Sequence, residues 1–247
     1  MKVKITYLEQ SGFLLEWDKT YWLFDYYRGE IPSLDNNKML VVFVSHSHGD
    51  HFNPEIFKMF NKHTKLSFII SSDIKLDEKA MVKYNITEEL SSHIKSVKPN
   101  QEYEISDGNK DSILINTLKS TDMGVAFVVS YKGKIVYHAG DLNLWVWKGE
   151  DKQFNNNMKA NFQKEILKLK DLTIDLAFAP LDPRQDDWYR LGVDELLNNA
   201  NVNYLFPMHL WDKLETIQKY KDETDNKNLS VNIMDIKKQG QNWSLEL

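Results

Sequence analysis

Apolar positions in this chain cluster in short runs rich in β-branched and aromatic residues, each bounded by polar or turn residues. Such runs predict strands at 3–7, 13–17, 21–24, 39–44, 67–71, 113–118, 125–130, 134–137, 174–179 and 202–206, with 231–234 and 243–247 closing the series. A second pattern has helical period: Met158, Phe162, Ile166 and Leu169 form one core-facing stripe, predicting a helix over 158–170. Shorter helices are expected at 77–83, 87–92, 193–198 and 210–221, and a solvated loop at 222–228. Asn53 and Pro54 read as the N-cap and first-turn proline of another helix, with Ile56, Phe57 and Phe60 on its apolar face. Two hairpins turn at Asp18-Lys19 and Lys132-Gly133 and end in Asp25 and in His138-Ala139-Gly140-Asp141, the outline of a diverged internal repeat.

Composition sharpens this picture. With 247 residues, 42% of them hydrophobic, and with seven Trp, eleven Tyr and twelve Phe, the chain can bury a large core; no linker interrupts it, so 1–247 is expected to be one domain. A net charge of −5 argues against a nucleic-acid partner. The apolar runs fall short of the ~18 residues a spanning helix needs, and the opening MKVKITYLEQ holds no signal-peptide core. Cysteine is absent, so a metal would be held by nitrogen and oxygen alone. The expectation is a cytoplasmic protein with a small-molecule substrate and no membrane partner.

The candidate chemistry lies directly after the strand at 39–44, in Ser45-His46-Ser47-His48-Gly49-Asp50-His51. Two residues apart on an extended segment, His46 and His48 project to the same side and can hold one ion. Asp50 and His51 follow where the chain turns, placed to hold a second ion at the roughly 3.5–4 Å spacing of two-metal hydrolases. Imidazole and carboxylate suit one or two zinc ions, and also iron or manganese.

This heptapeptide resembles the HxHxDH signature of the metallo-β-lactamase-fold hydrolases, and within that superfamily the chain resembles the compact branch related to the ascorbate-6-phosphate lactonases. The resemblance covers nearly the whole chain. It implies an α/β fold, a four-layer αββα sandwich in which two mixed sheets face each other with helices outside. It also implies that Asp141, on a tight turn after a strand, bridges the two ions, and that His209 is the last metal histidine. Where the family has a further histidine, this chain has Lys119-Ser120-Thr121-Asp122-Met123-Gly124; Asp122 is the expected substitute and Thr121 the alternative. His63 and His93 fall in other elements and are expected at the surface. Gln10 stands where relatives often carry a histidine. Asp25 is expected to anchor the histidine loop, and His138 either orients Asp141 or fills a strand end. Arg184 either pairs with an anionic substrate group or is an ordinary surface residue; Trp145, Trp147 and Trp188 either wall a pocket or cover the core.

The activity implied is hydrolysis of an ester, lactone or phosphoester bond in a small anionic molecule, with Asp50 doubling as a proton shuttle. The competing expectation is a ligand-binding or sensor protein with a degenerate or single-metal site. Nucleases and iron-dependent redox enzymes rank behind these.

Overall fold

Alternation along the strands divides the apolar residues between two clusters. Trp22, Phe24, Val41 and Phe43 point to one side of their sheet, and Tyr21, Leu23, Leu40, Val42 and Val44 to the other. Both faces are therefore covered, as the continuous apolar run at 39–44 requires. The chain is described here by a computed structural model over residues 1–63, 65–224 and 230–247.

The strands are β1 (Lys2–Glu9), β2 (Gly12–Glu16), β3 (Thr20–Phe24), β4 (Met39–Val44), β5 (Leu66–Ser71), β6 (Ile94–Val97), β7 (Glu102–Ser106), β8 (Ser112–Lys119), β9 (Val125–Tyr131), β10 (Lys134–His138), β11 (Thr173–Pro180), β12 (Asn201–Met208), β13 (Asn232–Ile233) and β14 (Asn242–Glu246). They form two seven-stranded sheets, ordered β14-β1-β2-β3-β4-β5-β6 and β13-β12-β11-β10-β9-β8-β7. Each sheet runs through the same series of pairings. From β14 to β3 neighbours are antiparallel and from β3 to β6 parallel. From β7 to β10 they are antiparallel and from β10 to β13 parallel. The hairpins β2–β3 and β9–β10 thus occupy equivalent places, which accounts for their likeness in sequence.

Between the sheets lies an aromatic core in which Phe13 approaches Phe178 at 4.5 Å and Phe24 stacks on Phe43 at 4.5 Å. The helices α1 (Glu78–Lys83) and α2 (Glu88–Ser92), with the 3-10 turn Pro54–Asn61, lie with the outer face of the first sheet. On the other sheet α3 (Lys152–Ile166), α4 (Leu191–Asn199) and α5 (Glu215–Thr224) bury Phe162, Ile166, Val193, Leu196, Ile217 and Tyr220. The result is the αββα sandwich.

Several boundaries differ from expectation. Helix α3 begins at Lys152, because Asp151 caps it by accepting the Phe154 N–H at 2.7 Å; the stripe of Phe162, Ile166 and Leu169 is buried as expected. The helix expected from 210 starts at Glu215, since Trp211 and Asp212 take left-handed φ of 49° and 62°. The segment after Pro54 is a 3-10 helix, capped by Asn53 accepting from the Glu55 N–H. Strands β6 and β7 were not expected; Glu102–Ser106 alternates exposed and half-buried residues on a sheet edge and carries no apolar run. Of the loop expected at 222–228, the first three residues belong to α5 and the rest lies outside the described residues.

Candidate metal centre

The parallel strands end on one edge of the sandwich, and the polar residues of the sequence motifs follow their ends. Asp25 comes after β3, the histidine loop after β4, Asp141 after β10, Asp182 after β11 and His209 after β12. Asp122 follows β8, which runs the same way as β10.

Asp141 sits between two sets of imidazoles. Its Oδ2 is 3.2 Å from His46 Nε2 and 3.9 Å from His48 Nδ1. Its Oδ1 is 3.2 Å from His51 Nε2 and 3.1 Å from His209 Nε2. Asp50 Oδ2 joins the second set, 3.6 Å from His51 Nε2 and 3.5 Å from His209 Nε2. Asp122 Oδ2 lies with the first, 3.8 Å from His48 Nδ1. Thr121 does not compete for that place: its hydroxyl donates to the Asn143 carbonyl at 2.6 Å and accepts the Asn143 N–H.

Buried carboxylates behind the rings decide which nitrogens face the cluster. His51 Nδ1 donates to Asp25 Oδ2 at 2.8 Å, and His209 Nδ1 to Asp182 Oδ2 at 3.0 Å. His46 Nδ1 meets Ser45 Oγ at 2.9 Å, and that hydroxyl donates to Asp25 at 2.6 Å. With each Nδ1 engaged as the donor, the neutral rings turn unprotonated Nε2 atoms inward. His51 and His209 then bring two lone pairs within 2.9 Å of each other. His46 Nε2 and Asp141 Oδ1 are buried without a hydrogen-bond partner. Lone pairs converging without donors fit a cation, and nitrogen and carboxylate oxygen form the donor set of zinc, iron or manganese.

The neighbouring carboxylates favour a positive charge among these rings, whether a proton or a metal ion. Burial alone would lower the pKa of His51, but Asp141 and Asp25 overcome it and raise it well above the usual value. His209 is likewise raised against its burial by Asp141 and Asp182. Burial pushes Asp141 upward, and the facing imidazoles more than reverse that, holding it well below the ordinary carboxylate range. The carboxylates draw positive charge into the cluster.

Two glycines let the second sheet close over the motif. A Cβ on Gly140 (φ 51°) would lie 2.6 Å from Ser45 Cβ, and one on Gly124 (φ 68°) 2.0 Å from the Ser45 carbonyl oxygen. Val125 N–H donates to that same carbonyl at 3.0 Å. His138 orients this corner: one ring nitrogen bonds the Ser11 carbonyl at 2.9 Å, the other accepts the Gly140 N–H at 3.2 Å, and the ring stacks on Phe24. Its burial lowers its pKa and keeps it neutral.

Other residues distribute as follows. Asp25 anchors the loop as expected, its Oδ1 also accepting the Ser45 N–H at 2.7 Å. His63, expected at the surface, is buried at the end of the 3-10 helix, where it bonds the Lys38 carbonyl just before β4; His93 is half-buried at the end of α2. Gln10 lies beside His209 and Trp211, accepting the Trp211 N–H on its side-chain oxygen. Trp145 is buried, donating to the Asp141 carbonyl at 2.9 Å, with Trp147 stacked on it. Trp188 packs against the core and borders a separate cavity with Leu144 and Leu191. Asp182 was not singled out in sequence; its place two residues before Arg184 and directly after a strand was the available signal.

A family model described as "Beta-lactamase superfamily domain" matches residues 4–156. The chain belongs to this family. That match ends before His209, so the fold supplies the last of the clustered imidazoles to a beta-lactamase superfamily domain whose first part carries the motif. No curated protein matches the chain in sequence. Among solved structures, it is similar to Igni18, a metallo hydrolase from the archaeon Ignicoccus hospitalis KIN4/I, at 16% identity and a TM-score of 0.66 over 100% of both chains. It is also similar to the short form of human tRNase Z, at 14% identity and a TM-score of 0.60 over 100% of both chains. A third is CmlA, a diiron β-hydroxylase from Streptomyces venezuelae, at 10% identity and a TM-score of 0.59; 99% of this chain aligns with 54% of that one. At such identities the likeness establishes the beta-lactamase superfamily fold and not the reaction. Among the described residues no helix is long and apolar enough to cross a membrane.

Proposed function

We propose that the protein is a metal-dependent hydrolase acting on an ester, lactone or phosphoester bond of a small anionic substrate, with His46, His48, Asp122 and Asp141 holding one ion and Asp50, His51, Asp141 and His209 another. One observation carries this reading: the two oxygens of Asp141 each face a separate set of imidazoles. Bound zinc, iron or manganese would lower the pKa of a water toward ~7 and draw charge from the scissile group.

The protein's own part is positioning and proton transfer. Asp25, Ser45 and Asp182 hold the rings so that their lone pairs converge. Asp50, with 21% of its side chain exposed, would carry a proton between the cluster and a leaving group at the surface. Trp145 packs behind His209 at 5.6 Å between ring centres.

A binding protein with a single-metal centre is the second reading, favoured by the half-exposed Asp122 in place of a histidine. The test is metal analysis and turnover of zinc-loaded protein on a panel of aryl esters, lactones and phosphodiesters. Lactones belong in the panel because the chain resembles the ascorbate-6-phosphate lactonase branch. About two equivalents of metal, with turnover lost in Asp141→Ala, support the hydrolase. Turnover unchanged in Asp141→Ala sinks it, and one equivalent without turnover favours the binding protein.

A further inference from the structure

Beside the cluster, an arginine and a tryptophan are held rigidly at the surface. Trp211 is 38% exposed, yet its backbone is left-handed (φ 49°), a conformation that bulky side chains rarely adopt. It is pinned there at both ends: its N–H donates to Gln10 Oε1 at 3.1 Å and its indole Nε1–H to Asp182 Oδ2 at 3.2 Å. Strain concentrates in this turn, since His209 and Asp212 also have positive φ, of 66° and 62°.

The Arg184 guanidinium lies 4.3 Å from the Trp211 ring centre. Its Nε–H donates to both oxygens of Asp182 at 3.0 Å and its Nη2 to Oδ2, while Nη1 has no partner among the described residues. Asp182 shares its carboxylate with His209 and Trp211, and the further attraction of Asp50 and Asp141 on this charge comes from carboxylates that a bound cation would take up. The side chain is 47% exposed and fixed by a planar fork and a stacked ring, so little entropy remains to be lost on binding. The pair stands at the centre's edge, with the Trp211 ring 5.6 Å from that of His209.

We propose that Arg184 and Trp211 form a substrate subsite for an oxyanion joined to a flat ring, an aromatic carboxylate or aryl phosphate group. The free edge of Arg184 takes the oxyanion and the exposed indole packs on the ring, placing the adjoining bond over the cluster. The inference rests on the hydrolase reading for the reaction performed there, but binding tests it separately.

The experiment is calorimetric titration of the zinc-loaded full chain with benzoate, phenylphosphonate, benzamide, acetate and inorganic phosphate. Benzoate or phenylphosphonate is expected to bind more tightly than the neutral amide and the ring-free anions; the tighter of the two identifies the oxyanion. Arg184→Gln should weaken that ligand about tenfold or more and leave benzamide unchanged. Trp211→Leu should reduce it to the level of acetate or phosphate, and Trp211→Phe, which keeps a ring, should retain part of the affinity if the leucine variant does not fold. Undiminished binding in a folded Arg184→Gln protein, or no preference for ring-bearing anions, overturns the proposal. Failure of the hydrolase reading would show instead as absent ester turnover in the wild type.

Discussion

Asp25 and His51 lie 26 positions apart in sequence, yet both are fully buried, and the carboxylate Oδ2 accepts the ring's Nδ1–H at 2.8 Å. That contact aims His51 Nε2 at Asp141 and, through Ser45, aims His46 as well. Asp25→Asn removes the charge that favours this arrangement and leaves an amide facing donors. Zinc affinity should fall by roughly 10–100-fold, and stability by about 1.5–3 kcal/mol. Competition with a chelator and urea unfolding measure the two effects. Wild-type zinc affinity in the variant would remove Asp25 from the centre's design.

Asp122 offers a way to separate the two halves of the cluster. Asp122→Ala should lower zinc stoichiometry by about one equivalent while the set around Asp50, His51 and His209 keeps its ion. Asp122→His, which restores an imidazole beside His48, should bind the first ion more tightly than the wild type. Metal counting after dialysis distinguishes these outcomes; equal loss of both ions in the alanine variant would show that the halves are not separable.

Gly140 is required twice, for its φ of 51° and for the closeness of Ser45. An added methyl meets Ser45 Cβ at 2.6 Å, and neither atom belongs to the free end of a flexible chain. Gly140→Ala should cost roughly 2–4 kcal/mol from the left-handed backbone and the overlap together. It should also displace Asp141 and so weaken metal retention. A urea midpoint close to that of the wild type contradicts this.

Burial and the neighbouring Asp107 push the Tyr131 phenol up to about 12 from 10, and burial does the same for Tyr7. The fold favours the protonated form of both. Their contribution to stability is therefore complete below pH 10 and is lost as pH rises toward 12. Urea unfolding across that range, followed alongside phenolate absorbance, should show stability falling with rising pH. Tyr131→Phe should flatten the decline, and an unchanged slope in that variant would assign the alkaline loss to other groups.

Much of this molecule was legible in one dimension. Period-two and continuous apolar runs located most of the strands because strand burial is a local property of side-chain alternation. Residues 45–51 carried their chemistry in plain view, since ligands on one loop have fixed spacing. Strand β7 escaped notice because a sheet edge need not be apolar, and the start of α5 was misplaced because left-handed turns at Trp211 and Asp212 have no composition of their own.

By itself the amino-acid sequence determined most of the strands, the motif after β4, and the presence of carboxylates and a histidine after later strands, while the two-sheet sandwich followed from the family resemblance that the motif carries. Only the tertiary structure decided which of them meet. Parallel pairing brings the ends of β3 and β4, and those of β10, β11 and β12, to one edge, so residues far apart in the chain lie within hydrogen-bond reach there. It also decided that Asp182 stands behind His209, that Asp122 rather than Thr121 faces His48, and that Arg184 rests on Trp211. Such contacts depend on how the two sheets close over each other, a distance that no spacing along the chain encodes.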